Sequence, residues 1–453
     1  MSEFKSTISL KKTPGTLTDS NTPLSIDHLY QLYLKHPSIC TDSRQLQKGD
    51  LFFALKGEHF NGNQYALQAL EKGAAYAIVD EEISSTGHSG QIIRADDVLA
   101  CLQGLAGFHR DQFNFPFIAI TGSNGKTTTK ELIHAVLREK YTTYTTEGNL
   151  NNHIGIPLTL LKIKRDAEIA IVEMGANHLR EIAGYCLYTR PTHGIITNCG
   201  KAHLEGFGSM EGVRKGKGEL LDYLRDHNGT AFVMWDYDYL REMSKNIREI
   251  VTYGSDGAQL TGQEVTAMPH LRVRVTTGIQ MDSIQTQLTG DYNLPNVLAA
   301  IAVGNYFHVD PAAIKKGIEN YSPSNNRSQL IRAGTNTIIM DAYNANPSSM
   351  KLAIENFSHY PAKDRILLLG AMAELGSSGP AEHEQIIRQI ESTGWKEVIL
   401  VGGDFLNIKH PYLTFSTAAE AGKWVSSRSF QNTAFLVKGS RSMQMEKAVE
   451  SIK

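Results

Sequence analysis

Apolar and polar positions follow two rhythms along this chain. The runs DLFFAL (Asp50–Leu55), AAYAIVD (Ala74–Asp80), FIAI (Phe117–Ile120), AEIAIVEMG (Ala167–Gly175) and HGIITN (His193–Asn198) are mostly apolar and stop at glycine or polar residues. Continuous runs of this kind predict strands buried on both faces. Between them the period lengthens. NQYALQALEKG stops at Gly73, DDVLACLQGLAGFHRDQ follows later, and after FIAI the pairs Leu132/Val136 and Ile133/Leu137 recur at i,i+4. These predict helices with one buried face. Strand alternating with helix predicts parallel sheets and crossover helices. LRVRVTT to SIQTQLTG alternates residue by residue, which predicts an antiparallel pair. Towards the end NTIIMDA, RILLLGA, EVILVGG and TAFLVKGS repeat the buried-strand pattern, a Rossmann-like sheet without a G-x-G-x-x-G turn. FNFP (Phe113–Pro116) and YSPSNNRSQ (Tyr321–Gln329) are the seams. The predicted architecture is α/β in three domains, 24–112, 113–322 and 323–453. Residues 1–23, polar and broken by Pro14, Gly15 and Pro23, are a flexible lead-in.

Composition narrows the class. A chain of 453 residues suits about three domains. The formal net charge of -2 argues against a generally basic nucleic-acid binder. Cys40, Cys101, Cys186 and Cys199 are scattered with no C-x-x-C pair, which favours a reducing compartment over a disulfide framework. No run approaches the ~18 apolar residues of a spanning helix, and the N-terminus lacks the apolar core of a signal peptide. The expectation is a cytoplasmic monomer without a membrane span.

The chemistry concentrates at strand ends, where α/β sheets bind ligands. ITGSNGKTTTKEL (Ile120–Leu132) joins a buried strand to a helix through a short glycine loop. Gly122 and Gly125 permit a tight turn that aims backbone amides at phosphate, and the helix N-terminus adds partial positive charge. Lys126 supplies a cation, and Thr127 a hydroxyl for Mg²⁺. Glu173 ends another strand, as a Walker-B acid would. His203, in NCGKAHLEGFGSMEGV, reads either as a metal or substrate contact or as an ordinary loop histidine. Lys217, in VRKGKGELL, reads either as half of a solvated pair on a helix or as a buried amine of lowered pKa that takes up CO₂. Asn149, Asn151 and Asn152 offer amides that both donate and accept. Asn293 and Asn296 either touch a base edge or cap the next helix. Arg327 stands at the seam before the third domain, within reach of phosphate charge on closure. Asp341, Tyr343, Asn344 and Asn346 follow one strand, and Lys438 and Arg441 follow another at the same edge.

Taken together, TDSRQLQKGDLFFALKGEHFNG, TGSNGKTTTKE, EGNLNNHIGIPLTLL, AHLEGFGSMEGV, DAYNANPSSM and VKGSR resemble the Mur ligase family over about residues 25–453. The resemblance implies an N-terminal UDP-sugar-binding domain, a central ATP-binding domain with a mostly parallel sheet, and a C-terminal Rossmann-like domain. It implies ATP-driven amide formation between UDP-N-acetylmuramoyl-tripeptide and D-Ala-D-Ala through an acyl phosphate. By the same resemblance, Thr41, Asp42, Ser43 and Arg44 line the UDP-sugar pocket. Gly122, Ser123, Asn124, Gly125, Lys126, Thr127 and Thr128 cradle ATP. Thr127, Glu173 and His203 serve Mg²⁺, and Lys217, which aligns with a lysine that is carbamylated in related ligases, joins them as an oxygen ligand once carbamylated. Asn293, Asn296 and Arg327 contact nucleotide and Asp341 its ribose side. Asn149 to Asn152 meet the muramoyl peptide, and the C-terminal domain, with Tyr343, Asn344, Asn346, Lys438 and Arg441, brings the dipeptide. Lys126, Lys217, His203 and Arg327 are the expected catalytic residues. The sequence departs from the family pattern at Ala371, where an aspartate is expected, and at Asn326, where glycine often precedes the arginine. The alternatives are another Mur-type or folylpolyglutamate-type ligase and, in a different class, a phosphate-loop ATPase or kinase-like switch.

Overall fold

The computed structural model describes residues 10–12, 25–84, 87–88, 90–266, 268–324, 326–450 and 452. Its packing falls into two compact units, each drawn from several stretches of chain. The first holds residues up to 117 with 144–174 and 184–190; the second holds 118–143, 175–183 and 191 onward.

In the first unit a five-stranded sheet runs Leu10–Lys12, Ile92–Ala95, Tyr76–Val79, Leu51–Phe53, Ile39–Cys40, parallel except at the first pair. Leu10–Lys12, within the expected lead-in of 1–23, pair antiparallel with Ile93–Ala95. The remainder of that lead-in lies outside the described residues. Helix Val98–Arg110 is capped by Asp97, whose carboxylate accepts from the Ala100 amide. Its last turn holds the unit together. His109 Nε2 lies 2.8 Å from the Ile163 carbonyl. The Arg110 guanidinium donates to the carbonyls of Thr189, Phe113 and Arg190 and covers the Phe117 ring at 3.7 Å. A buried arginine saturated by carbonyl acceptors and an aromatic face fixes the connector after the helix, which the sequence left as a plain linker. Strand Ile169–Glu173 and helix Gly155–Leu161 also belong to this unit.

In the second unit hydrogen-bonded strands succeed one another as Ile284–Gln285, Arg272–Thr277, Leu260–Thr266, Glu249–Gly254, Thr230–Met234, His193–Ile196 and Phe117–Thr121. The last five strands are parallel, and the first two pairings are antiparallel. The predicted antiparallel pair is present, with Arg272 opposite Gln285. Leu260–Thr266 escaped prediction because its inner glycine and polar residues blur the period. Helix Leu294–Tyr306 is apolar almost all round and buried over most of its length, as expected of a central helix. A second sheet runs Gln329–Ala333, Asn336–Asp341, Thr433–Lys438, Asp364–Gly370, Glu397–Val401, Leu413–Phe415, parallel beyond its first edge. The four predicted C-terminal strands are its centre, with core on both faces. Among the described residues no helix is long and apolar enough to cross a membrane.

Candidate active site

Strand Phe117–Thr121 is wholly buried, and helix Lys126–Leu137 starts five residues after it ends. Both loop glycines are dictated locally. Gly122 has φ 144°, and a Cβ there would stand 2.0 Å from Thr197 Oγ1. Gly125 has φ 80°, and its Cβ would stand 2.6 Å from Asn296 Oδ1. The loop is tied down from the neighbouring strand end. The Ser123 amide donates to the Asn198 carbonyl at 2.9 Å and the Asn124 amide to Asn198 Oδ1 at 3.1 Å. Thr197 Oγ1 and Asn198 Nδ2 donate to the Asn124 carbonyl, and Ser123 Oγ donates to the Gly200 carbonyl. Two of the expected phosphate-facing amides are therefore engaged in holding the loop. The donors suited to an anion are those of the helix's first turn, Lys126, Thr127 and Thr128. Lys126 Nζ folds back on the carbonyls of Gly122 and Ser123, at 2.6 and 3.3 Å.

The asparagines before the buried helix brace this loop. Asn293 does not cap the helix with its side chain; its Nδ2 donates to the Thr289 carbonyl, and its Oδ1 accepts from Asn296 Nδ2. Asn296 Oδ1 accepts in turn from Thr129 Oγ1 at 3.0 Å. The capping reading is corrected: the two amides form a relay from the sheet side to the phosphate loop.

Lys217 lies on helix Met210–Asp226 and has no exposed surface. The solvated-pair reading fails, because its neighbour Glu219 accepts the amides of Arg180 and Ala183 instead. Lys217 Nζ donates to the Ala176 carbonyl at 2.9 Å and sits 5.1 Å from the centre of the Phe207 ring. Glycines let Phe207 press on the helix, since a Cβ at Gly216 would stand 2.4 Å from its ring. Burial, then the charge of Lys126, pushes the Lys217 amine down to about 7.

His203 has left-handed backbone, φ 52°, and its Nδ1 lies 2.5 Å from Glu374 Oε2. The pairing, with a lesser contribution from Lys126, holds the Glu374 carboxyl below the ordinary range. Further links tie residues after 340 to the glycine loop and to the stretch after strand His193–Ile196. Lys201 Nζ donates to Glu382 at 2.6 Å, the Lys201 amide donates to Ser348 Oγ, and Asn346 Nδ2 donates to Asn124 Oδ1 at 2.7 Å. Asn346 also caps helix Pro347–Ser358 through a reciprocal pair with Ser349.

At the adjoining strand ends Asp341 and Lys438 are register partners. Lys438 is buried, with Nζ 2.5 Å from Asp341 Oδ2, and Asp341 Oδ1 accepts the Ser328 amide. The two residues expected to face ribose and dipeptide thus satisfy each other. The Arg327 guanidinium lies 3.6 Å over the Tyr343 ring. Asn344 Oδ1 accepts the Ala345 amide, and Arg441 is exposed beside Glu446.

The first unit places the remaining residues. Asp42 and Arg44 form a bidentate surface pair after strand Ile39–Cys40, and the guanidinium lowers the Asp42 carboxyl to about 2. Thr41 and Ser43 flank Asp42, and the Ser43 carbonyl accepts from Lys72 Nζ. The three asparagines separate in role. Asn152 Oδ1 accepts the amides of Ile154 and Gly155 at a helix start, Asn149 is exposed, and Asn151 Nδ2 donates to Glu173 Oε1 at 2.8 Å. Glu173 is buried, and its Oε2 has no hydrogen-bond partner. An orphaned carboxylate oxygen is costly unless a ligand meets it.

Three family descriptions match the chain: the Mur ligase catalytic domain over 37–103, the Mur ligase middle domain over 120–304 and the Mur ligase glutamate ligase domain over 326–441. The UDP-N-acetylmuramoyl-tripeptide–D-alanyl-D-alanine ligase of Bacillus subtilis is 33% identical over 91% of this chain and 92% of its own length. The chain belongs to the Mur ligase family. The enzyme of the same name from Escherichia coli is 34% identical over 92% of this chain and 93% of its own. A crystal structure of MurF from Acinetobacter baumannii superposes with TM-score 0.84 at 29% identity, covering 93% of this chain and 97% of that one. The fold is shared with a MurF ligase of Thermotoga maritima, at TM-score 0.83, 24% identity and 92% and 97% coverage.

The two departures from the Mur ligase pattern have local accounts. Asn326 has φ 57°, a left-handed position where asparagine, like glycine, is tolerated. Ala371 lies close against Gly403, where an added Cβ would be 2.5 Å from its methyl. Residues missed from the sequence are Thr197, Asn198, Lys201, Ser348, Glu374 and Glu382. Thr197 and Asn198 sit just beyond the carboxyl end of strand His193–Ile196, the one signal that marked them. Lys201, Ser348, Glu374 and Glu382 act across long sequence separations that no local pattern reveals.

Proposed function

We propose that this Mur ligase joins D-Ala-D-Ala to UDP-N-acetylmuramoyl-tripeptide at the expense of ATP, with Lys126, Lys217, His203 and Arg327 as its catalytic residues. The observation that carries the reading is likeness to enzymes of that name across nine-tenths of the chain. The division of labour follows the sequence: 24–112 for the UDP-sugar, 113–322 for ATP, 323–453 for the dipeptide.

A peptide carboxylate attacks the γ-phosphorus of ATP, giving an acyl phosphate and ADP. The dipeptide amine then attacks the acyl carbon, and phosphate leaves from the tetrahedral intermediate. The first-turn amides of helix Lys126–Leu137 hold phosphate oxygens, and Lys126 exchanges its loop carbonyls for phosphate charge. Arg327, stacked on Tyr343, keeps its guanidinium edge for phosphate. Among the described residues no three His, Cys, Asp or Glu side chains make a ready metal cage. Mg²⁺ takes few protein ligands alongside phosphate and water. Thr127, His203 and Glu173, with its orphaned Oε2, are each proposed to serve it. Mg²⁺ bound there would offset charge on the transferring phosphoryl group.

Lys217 is proposed to become a carbamate, its nitrogen bonding to the carbon of CO₂ as one proton leaves. Only the neutral amine reacts. Because burial lowers the value from 10.5 to about 7, the neutral form gains as pH rises through about 7. The same depression means the unfolded chain binds more protons than the folded one above that pH, so this group's contribution to stability rises until the ordinary value is passed. A ¹³C-carbamate resonance from ¹³CO₂ should grow through neutrality and vanish in Lys217→Met; a signal appearing only near pH 10 would refute the buried neutral amine.

The deciding experiment follows phosphate release from ATP with UDP-muramoyl-tripeptide present and D-Ala-D-Ala added or withheld, with product mass read in parallel. Dipeptide-dependent release with a matching mass gain is expected. Release indifferent to both substrates, with no new mass, would move the chain to the ATPase class.

A further inference from the structure

We infer that Tyr343 is a positioning residue for Arg327: its ring carries the guanidinium, and its backbone amide ties down the residue before the arginine. This rests on the proposed role of Arg327 at the phosphates. It also moves Tyr343 out of the dipeptide site expected from the sequence. The Arg327 guanidinium carbon lies 3.6 Å from the centre of the Tyr343 ring, in contact with its face. A guanidinium held over an aromatic face spends none of its N–H donors, which remain for a planar anion. Among the described residues it has no hydrogen-bonded or ion-paired partner, so the ring alone orients it.

The backbone on both sides of Arg327 is clamped. Asn326 and Ser328 are left-handed, with φ 57° and 48°. Residues with a Cβ keep that conformation where their surroundings enforce it. Before the arginine, the Tyr343 amide donates to the Asn326 carbonyl at 3.2 Å. After it, the buried Ser328 is held from three sides. Its amide donates to Asp341 Oδ1 at 3.2 Å, its hydroxyl lies 3.2 Å from the Tyr292 hydroxyl, and its carbonyl accepts from Thr289 Oγ1 at 3.5 Å. Asp341 ends strand Asn336–Asp341, and Tyr343 follows two residues later. One strand end therefore grips the residue before Arg327, the residue after it and the guanidinium itself. An arginine side chain carries a large rotamer entropy into any contact. The ring removes part of that loss before the nucleotide arrives, which is the gain of a preorganised site.

The test uses the full chain and two readouts: steady-state kinetics, and the ¹⁵N-resolved Nε–H resonance of Arg327, assigned by its loss in Arg327→Lys. Tyr343→Leu should lower kcat/KM for ATP about 3–30-fold, the worth of one cation–ring contact, with KM for D-Ala-D-Ala unmoved. Tyr343→Met, closer in reach, serves if the leucine variant does not fold. Tyr343→Phe, which keeps the ring, should recover most of the loss. Adding Tyr343→Leu to Arg327→Ala should cost nothing further. The Nε–H resonance, displaced by the ring current, should return to its ordinary position in Tyr343→Leu and stay displaced in Tyr343→Phe. Additive losses in the double variant, or a phenylalanine variant as poor as the leucine one, would overturn the inference. So would a rise confined to the dipeptide KM, which would return Tyr343 to the dipeptide site. A resonance indifferent to Tyr343→Leu would overturn the inference alone, whereas unchanged turnover in Arg327→Ala would remove the phosphate role beneath it.

Discussion

The phosphate loop and the C-terminal edge that meets it are built on opposite principles. In the loop, position is set by backbone. Gly122 and Gly125 are forced by neighbours closer than any Cβ allows, and two loop amides are spent on Asn198. At the C-terminal edge, position is set by side chains: Lys438 on Asp341, Asn346 on Asn124, Glu382 on Lys201, Glu374 on His203. A backbone lock is local and holds one shape. A side-chain contact spans distant stretches and can exchange partners, which would suit the dipeptide-bringing role proposed for that segment.

That contrast is open to direct attack. The largest effect is expected from Lys438→Ala, which leaves the Asp341 carboxylate half-satisfied in the interior. Breaking such a buried pair costs about 3–5 kcal/mol, read by urea unfolding; a loss below 1 kcal/mol would show that solvent reaches the pair freely. Next comes Gly122→Ala, where left-handed backbone and a Cβ collision at Thr197 together cost roughly 2–4 kcal/mol. Gly208→Ala is its control: φ is also positive, at 74°, but nothing lies within 4 Å of the added Cβ, so about 1 kcal/mol is expected. Equal losses at the two glycines would mean that conformation alone, without the collision, sets the loop. Asn346→Ala should cost about 1–2 kcal/mol through its lost cap. Asn346→Ser restores the cap but not the bond to Asn124, so it should recover stability while kcat/KM stays depressed. Recovery of both would make Asn124 irrelevant to the edge. The smallest effect belongs to Arg441→Ala, since its exposed pair with Glu446 is worth under about 1 kcal/mol; a large fall in dipeptide turnover with unchanged stability would identify Arg441 as a substrate contact.

The same division explains what could be read from the chain. Strands such as Phe117–Thr121 and Thr433–Lys438 announce themselves because a strand buried on both faces has to be continuously apolar. The phosphate loop is legible for a related reason, its chemistry and backbone demands lying within a few consecutive residues. Lys217 was legible only as a choice. Its sequence neighbour Glu219 suggests a surface pair, and only the packing of Phe207 over Gly216 shows that the amine is buried. Asn293 misled in the opposite direction, standing at the first turn like a cap while its amide bonds behind it to Thr289. Lys201, Ser348 and Glu382 carried no signal, because each is defined by a partner more than a hundred residues away.

The relay from Asn293 through Asn296 to Thr129 limits how this nucleotide-binding element can be reused. A designer who grafted residues 120–132 onto another α/β scaffold would carry over both glycines and the lysine but leave behind Thr197, Asn198 and Asn296. Those residues enforce the loop's curvature from two other stretches of chain. The portable module is therefore three-part: the loop with its helix, the end of the neighbouring strand, and the first turn of the buried helix. Transplanted together they bring their own scaffolding; transplanted singly, the loop is a flexible glycine linker.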